Sequence, residues 1–352
     1  MVAMNRIKQL FSLLIRVFFT FRRVNSFSIN NRDVDYIVWA PDFFSVRFLY
    51  GDNLQKVLAT YYYLKRRGKD VSVWTKNDIG CCHSKNIIFF GSHVYNSYGF
   101  SNYMDSLVNI TSNLEAQNNL VFPNSKEVIM WENKSYMHER FEKLEINTPK
   151  TLVFDLDDVL DRDIDIKYPF LVKEEHSCSS LGVHKVSDRT ELKKLIKSIA
   201  FRRNNKNVII QELLDIRRDL RVIFVGNEIV LHYWRINTSS EWKPTSTSTG
   251  SEVDFDFFPK QWEKKITESF NKLGMRTGAF DIAWDGDSLD SEPYILEVST
   301  FYQPNPRPSN VADLKYYGSW KKSVRLRNSY QKSVVDVIFS IQKELVDVLL
   351  GR

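Results

Sequence analysis

Two carboxylates in the last third of the chain are placed to share a metal ion. Asp281 sits in the apolar run Gly278-Ala-Phe-Asp-Ile-Ala-Trp284, and Glu297 in Tyr294-Ile-Leu-Glu-Val-Ser299. The stretch between them, Asp285 to Pro293, holds Gly, Pro and short polar residues, the composition of a turn joining two strands. Strand alternation puts Phe280, Ile282 and Trp284 on one face and Asp281 on the other. In the second strand it puts Tyr294, Leu296 and Val298 on one face, with Glu297 and Ser299 on the other. A hairpin then sets Asp281 directly opposite Glu297. Like charges there repel, so the pair calls for a cation. Mg²⁺ is usually held by one or two carboxylates with phosphate oxygens filling the remaining positions. The alternative is that both acids are solvated on an exposed sheet face.

Further upstream stand charged residues at strand ends and on polar faces: Lys134, Lys173, Glu212, Arg221, Arg235 and Lys243. Two lysines and the small-residue loop Ser177 to Gly182, with Ser179 and Ser180 at its centre, suit phosphate oxygens. The lysines bring charge and the loop brings close-lying backbone N–H groups. No G-x-x-x-x-G-K-[ST] occurs, and no Gly-rich fingerprint follows a strand, so neither a P-loop nor a dinucleotide site is indicated. No Ser-His-Asp or Cys-His arrangement stands out. Cys81-Cys82-His83 has no second cysteine pair to complete a metal cluster and reads as a turn. His138 and His232 read as structural. Three cysteines in all form no disulfide framework and fit a reducing compartment.

These groups need strands and helices to hold them, and 352 residues with 43% hydrophobic content suffice for several cored units. Residues 34–123 alternate strands (Tyr36 to Ala40, Val71 to Trp74, Ile87 to Phe90) with a helix over Asn53 to Lys65, which predicts a parallel α/β unit. In residues 124–213 a helix opens at Lys134. Strands follow at Thr151 to Phe154, Tyr168 to Lys173, Val183 to Val186 and Val208 to Gln211, with a helix over Glu191 to Ile199. In residues 214–352 a hairpin turns at Gly226-Asn227. After it come a polar loop over 236–256, a helix over Trp262 to Leu273, the carboxylate hairpin and a closing helix from Val334. The formal charge of +6 is modest and concentrated at the N-terminus and near residues 315–332, so no nucleic-acid stripe is expected.

In the order and spacing of these motifs the sequence resembles the ATP-grasp superfamily, in particular the ribosomal-protein glutamate ligases and related carboxylate–amine ligases. The resemblance covers residues 120–306 by motif and 34–120 by layout. It implies an α/β (α+β) ATP-grasp fold: an N-terminal parallel α/β domain, a small central α+β domain and a C-terminal mixed or antiparallel sheet domain. By the same resemblance ATP and Mg²⁺ are the cofactors. Lys134, Lys173, Ser179 and Ser180 hold phosphates. Gln211, Glu212, Leu213 and Leu214 form the adenine hinge, and Asp219 belongs to an Asp-x-Arg strand. Asp281, Glu297 and Ser299 hold metal, and Arg221, Arg235 and Lys243 serve the transferring phosphoryl group. The chain departs from the family's pattern at Ser299, where Asn is usual, which leaves Asn305 or water to complete the metal shell. It departs again in the phosphate loop, which is serine-rich, and at Trp242-Lys243-Pro244-Thr245.

The resemblance implies activation of a carboxylate as an acyl phosphate and attack by an amine. A basic amphipathic helix over residues 1–25 adds a direction. Asn5, Lys8, Gln9, Ser12, Arg16, Thr20 and Arg23 recur at helical spacing against Ile7, Leu10, Phe11, Leu13, Leu14, Val17, Phe18 and Phe21. Arg16 breaks the apolar run below the length of a membrane crossing, and no cleavage site follows. Such a helix suits the inner face of an anionic membrane, docking on the protein's own core, or pairing in a homodimer. The expected enzyme is therefore cytoplasmic or peripheral at the plasma membrane. It would join a carboxylate on a cell-surface polysaccharide or lipid-linked sugar precursor to an amine such as an amino acid. A soluble peptide or natural-product ligase, a phosphotransferase acting on a hydroxyl, and a binding module whose chemistry is lost at Ser299 are the competing expectations.

Overall fold

A computed structural model of the chain describes residues 14–45, 48, 52–90, 103–131, 133–177, 182–247, 250–255, 257–306 and 328–352. Three sheets follow one another along it. In the first, β1 (Tyr36–Trp39), β2 (Val71–Trp74), β3 (Asn86–Phe89) and β4 (Leu120–Phe122) lie in the order β2-β1-β3-β4, all parallel. Their apolar runs are buried almost throughout, as strands covered on both faces require. Residues 14–23 form a helix, α1, and α2 (Asn53–Arg66) follows β1.

The second sheet has the order β5-β8-β6-β7, built antiparallel from β5 (Thr151–Asp155), β6 (Phe170–Glu174), β7 (Val183–Val186) and β8 (Asn207–Glu212). The single helix expected over Glu191 to Ile199 is two. Asp188 caps α3 (Arg189–Ile196) by accepting from the Thr190 and Glu191 amides, and Ser198 caps α4 (Ile199–Asn204) by accepting from Phe201. A second N-cap so soon after the first ends one helix and starts the next.

The third sheet is antiparallel throughout: β9 (Arg218–Val225), β10 (Glu228–Ile236), β11 (Glu252–Asp254), β12 (Thr277–Ala283) and β13 (Tyr294–Ser299), in the order β11-β10-β9-β12-β13. The loop expected over 236–256 is shorter, because Glu252–Asp254 returns as an edge strand on β10. Val253 and Phe255 are buried beside Tyr233 there, a short alternation concealed in a polar stretch. One face of the sheet, with Val222, Phe224, Phe280 and Val298, packs beneath Met137 and Phe141 and beneath α5 (Glu263–Lys272) with Ile266 and Phe270. Phe224 and Phe270 stack with centroids 4.3 Å apart. The opposite face carries charge.

The carboxylate hairpin forms as expected, with Asp281 paired to Glu297 and Phe280 to Val298. Its second strand differs from plain alternation. Ile282 pairs with Ile295, so Leu296 is an extra residue, a β-bulge. The bulge lets Ile295 and Val298 both enter the core, while Leu296 and Glu297 together border the cleft described below.

The closing helix α6 (Asn328–Leu349) lies against both ends of the molecule. Val335, Phe339, Leu345 and Val346 share a core with Val57, Leu58 and Leu64 of α2, and Tyr330, Val334 and Ile338 cover Tyr233 and Val253. The N-terminal helix docks on the protein, with Val17 and Phe19 packed against the core shared by α2 and α6. Its side assigned as polar faces the protein. Arg16 Nη1 donates to Asp52 Oδ1 at 2.8 Å and its Nε bonds Gln331. Thr20 is fully buried, and Arg23 pairs with Asp336 and lies over the Phe339 ring. Local periodicity cannot show that Asp52 and Asp336 wait on the protein side for these arginines. Residues 1–13 of the expected helix lie outside the described residues.

Candidate active site

The charged face of the third sheet follows directly from its register. Asp219 stands opposite Arg235, Arg221 opposite Asp281, and Asp281 opposite Glu297. Arg221 donates from Nε and Nη2 to the two Asp281 oxygens at 2.7 and 2.8 Å. Arg235 donates from Nε to Asp219 Oδ1 at 2.9 Å, from Nη2 to Asp219 Oδ2, and lies 2.9 Å from Asp281 Oδ2. Part of the cation demand read from the two facing acids is therefore met by guanidinium groups. Burial pushes the Asp281 carboxyl up, but Arg221 and Arg235 overcome this and hold it at about 2. Burial works against the charge on Arg235, yet Asp219 and Asp281 raise its pKa well above the usual value. Glu297 is different: among the described residues its carboxylate accepts no hydrogen bond and makes no ion pair.

Across a cleft, the second sheet presents Lys173 from the end of β6. Its side chain is only 8% exposed, and its ammonium donates no hydrogen bond among the described residues. Burial lowers its pKa to about 8, with Glu297 and Asp281 pulling it up and Lys134 pushing it down. A buried, unpartnered ammonium is costly and is ready for an anion. Lys134 opens the helix Lys134–Lys143, capped by Asn133, which accepts from Tyr136 N. Its Nζ is held by Ser177, to the carbonyl at 2.5 Å and to Oγ at 3.0 Å. His138 sits between these groups and Gln211, nearly fully buried. Burial, then Lys173 and Lys134, drive its pKa well down, so it is neutral.

The cleft, of about 760 Å³ including the solvent at its mouth, brings together Lys173, Gln211, Glu212, Leu213, Leu214, Asp219, Arg235, Lys243, Asp281 and Glu297. Most of the residues singled out in the sequence thus meet in one place. Arg221 reaches it through Asp281. Lys134 is turned to Ser177. Ser299 lies opposite Ala279, on the same face as Glu297 and two residues beyond it, and does not border the cleft. Asn305 donates its amide to the Tyr233 hydroxyl at 2.9 Å, and Tyr233 stands opposite Arg221. Ser179 and Ser180 lie outside the described residues. Gln211 points inward. Its amide nitrogen donates to Thr151 Oγ1 at 2.8 Å, and that hydroxyl in turn donates to the Pro149 carbonyl at 2.7 Å. Sequence reasoning missed the apolar walls, Leu171, Val183, Ile216 and Leu296. In a strand such residues read as core: Leu171 and Val183 share the face of Lys173 by alternation and pairing, and the bulge turns Leu296 to the cleft.

The donor set fits a hard divalent cation. Among the described residues Glu297 is uncommitted, and Asp281 faces it across the ladder. Two carboxylates with phosphate oxygens suit Mg²⁺. Among the described residues no group of three or more His, Cys, Asp or Glu side chains forms an all-protein metal cage.

Known proteins share this fold. Residues 142–249 match the family described as D-ala D-ala ligase C-terminus. The chain is 25% identical over 221 residues to coenzyme gamma-F420-2:alpha-L-glutamate ligase of Methanococcus maripaludis, covering 59% of this chain and 73% of that one. Among solved structures it is similar to a RimK domain ATP-grasp protein from Sphaerobacter thermophilus, with a TM-score of 0.53, 13% identity, and 90% and 100% of the two chains covered. It is also similar to D-alanine–D-alanine ligase from Bacillus anthracis complexed with ATP, with a TM-score of 0.51, 13% identity, and 92% and 99% covered.

Proposed function

We propose that this chain, an ATP-grasp ligase that forms C–N bonds, uses ATP and Mg²⁺ and releases ADP, joins an amine to a carboxylate on a cell-surface polysaccharide or lipid-linked sugar precursor. The observation that carries the catalytic part is the Asp281–Glu297 pair beneath Arg235 and across from an unpartnered Lys173.

Each residue has a task in this reading. Leu171, Val183, Ile216, Leu214 and Leu296 enclose a base, with Gln211 to Leu213 along its edge. Lys173 takes phosphate oxygens directly. Lys134 takes them by exchanging Ser177, a partner it already holds through charge-assisted hydrogen bonds. Ser179 and Ser180 cover the phosphates. Asp281 and Glu297, with Ser299 or the Asn305 oxygen, would hold Mg²⁺, which would supply positive charge against the charge developing on the phosphates. Arg235 and Arg221 steady the transferring phosphoryl group and then the acyl oxyanion, while Asp219 holds Arg235 in place and Lys243 closes the acceptor side. The γ-phosphoryl group passes to the carboxylate, giving an acyl phosphate and ADP. The amine then attacks the acyl carbon and phosphate leaves. Such catalysis is positioning plus electrostatics and calls for no protein nucleophile.

An ADP-release assay tests the reading. Uronic acids, N-acetyl-L-glutamate and N-acetyl-D-alanine serve as carboxylates, each with and without an amino acid. Release that needs both partners supports ligation. Release with a sugar alcohol and no amine sinks it in favour of phosphotransfer. Turnover with the N-acetyl amino acids or peptides but never with uronic acids removes the polysaccharide acceptor while leaving the ligase.

A further inference from the structure

The outward side of α1 is apolar where a surface helix should be polar. Leu14, Phe18 and Phe21 are 55%, 57% and 41% exposed and fall on one helical stripe. The stripe continues sideways. Phe21 meets Phe27, Phe27 meets Phe43, and Phe43 meets Phe44, with centroids 5.2 to 6.2 Å apart, and Phe44 is 74% exposed. Upstream in sequence the same spacing is occupied by Met4, Ile7 and Phe11. No acidic residue occurs before Asp33, whereas Arg6, Lys8, Arg16, Arg22, Arg23 and Arg32 do. Arg16, Arg23 and Arg32 are already paired, with Asp52, Asp336 and Asp78, the last two pairs at the surface. Arg22 is exposed and lies over the exposed Phe18 ring, 5.7 Å from its centroid.

We propose that this face is a docking surface for an anionic lipid bilayer. A stripe of Leu and Phe with arginine beside it matches an interface whose interior is apolar and whose headgroups are negative. The inward arginines matter equally. By tying α1 to Asp52 and Asp336 they fix the helix with its apolar side out, so the face is rigid and ready-made. A second copy of the chain is the weaker occupant. At about 200 Å² for a whole aromatic side chain, the exposed parts of these four residues fall well short of the roughly 800 Å² each partner needs in a stable dimer. The proposal stands on residues remote from the cleft and does not depend on the ligase reading.

The test is co-sedimentation of the full-length protein with mixed phosphatidylcholine–phosphatidylglycerol vesicles, with phosphatidylcholine alone as control. The expected result is binding to the anionic vesicles that weakens with salt and with Arg22→Glu. The double variant Phe18→Ser, Phe21→Ser should weaken it about tenfold or more at unchanged melting temperature. Phe18→Trp gives an independent signal, a blue shift of its fluorescence on anionic vesicles. No binding by the unaltered protein, equal binding by the double variant, or no shift of the Trp emission overturns the proposal. A dimer that the double variant dissociates, without vesicle binding, also overturns it and assigns the face to a second copy.

Discussion

Asp281 and Glu297 face each other across one ladder but differ in what they hold. Asp281 is tied to two guanidinium groups and Glu297, among the described residues, to none, so the two carboxylates separate folding from function. Glu297→Gln is expected to abolish turnover and Mg²⁺-dependent nucleotide binding while the melting temperature stays within a degree or two. Asp281→Asn also abolishes turnover but leaves two buried cations short of their anion, a loss of about 3–5 kcal/mol, seen as a fall in denaturant midpoint. If both variants unfolded alike, Glu297 would belong to the fold and not to the metal. Lys173 gives a pH signature. Its folded pKa of about 8 lies below the ordinary lysine value, so between the two the unfolded chain binds more protons and stability rises with pH. Nucleotide affinity runs the other way, because the phosphates need the charged ammonium. Binding of a non-hydrolysable ATP analogue, followed by calorimetry, should weaken as pH passes 8, and Lys173→Arg should remove that dependence. Asp281 contributes on the acid side. With its pKa held at about 2, its stabilisation is present above pH 4 and is lost as pH falls toward 2.

Among the elements, the ones that turn and bulge set the cleft. Gly182 leaves the phosphate loop at φ +75°, and a Cβ there would lie 2.8 Å from Glu174 Cβ. Gly182→Ala is therefore expected to destabilise the β6–β7 hairpin by about 1–2 kcal/mol or more and to weaken nucleotide binding, whereas an alanine at Gly250, which meets no atom, strains only its own backbone. On the buried face, Phe270→Ala removes the ring stacked on Phe224 and should cost about 3–5 kcal/mol, measured by chemical unfolding. The strands and the Asp281–Glu297 pairing were legible in the sequence because alternation over a short hairpin fixes which residues face each other. The partners of Asp281 were not legible. They depend on β9 lying beside β12, a pairing across some sixty residues of sequence that no local pattern specifies. The bulge at Leu296 was equally hidden, since a run of Tyr, Ile, Leu and Val reads as core on either face.

At the scale of the whole molecule, α6 joins the first and last parts of the chain. It completes the core of α2 and covers the far end of the charged sheet, so the unit read as N-terminal is finished by residues at the C-terminus. Sequence periodicity marked the helix but could not say where it docks, and for the same reason it left open which side of α1 meets the protein. Both turn on partners distant in sequence. The ligase reading itself rests on the two sheets closing over one cleft with the buried Lys173 on one side and carboxylates on the other. The most direct measurement is to trap the activated acid. With Mg²⁺, ATP, a uronic acid and hydroxylamine, an acyl phosphate is captured as a hydroxamate without any natural amine. The account predicts hydroxamate in step with ADP, absent in Glu297→Gln. ADP released with a phosphorylated sugar and no hydroxamate would contradict it.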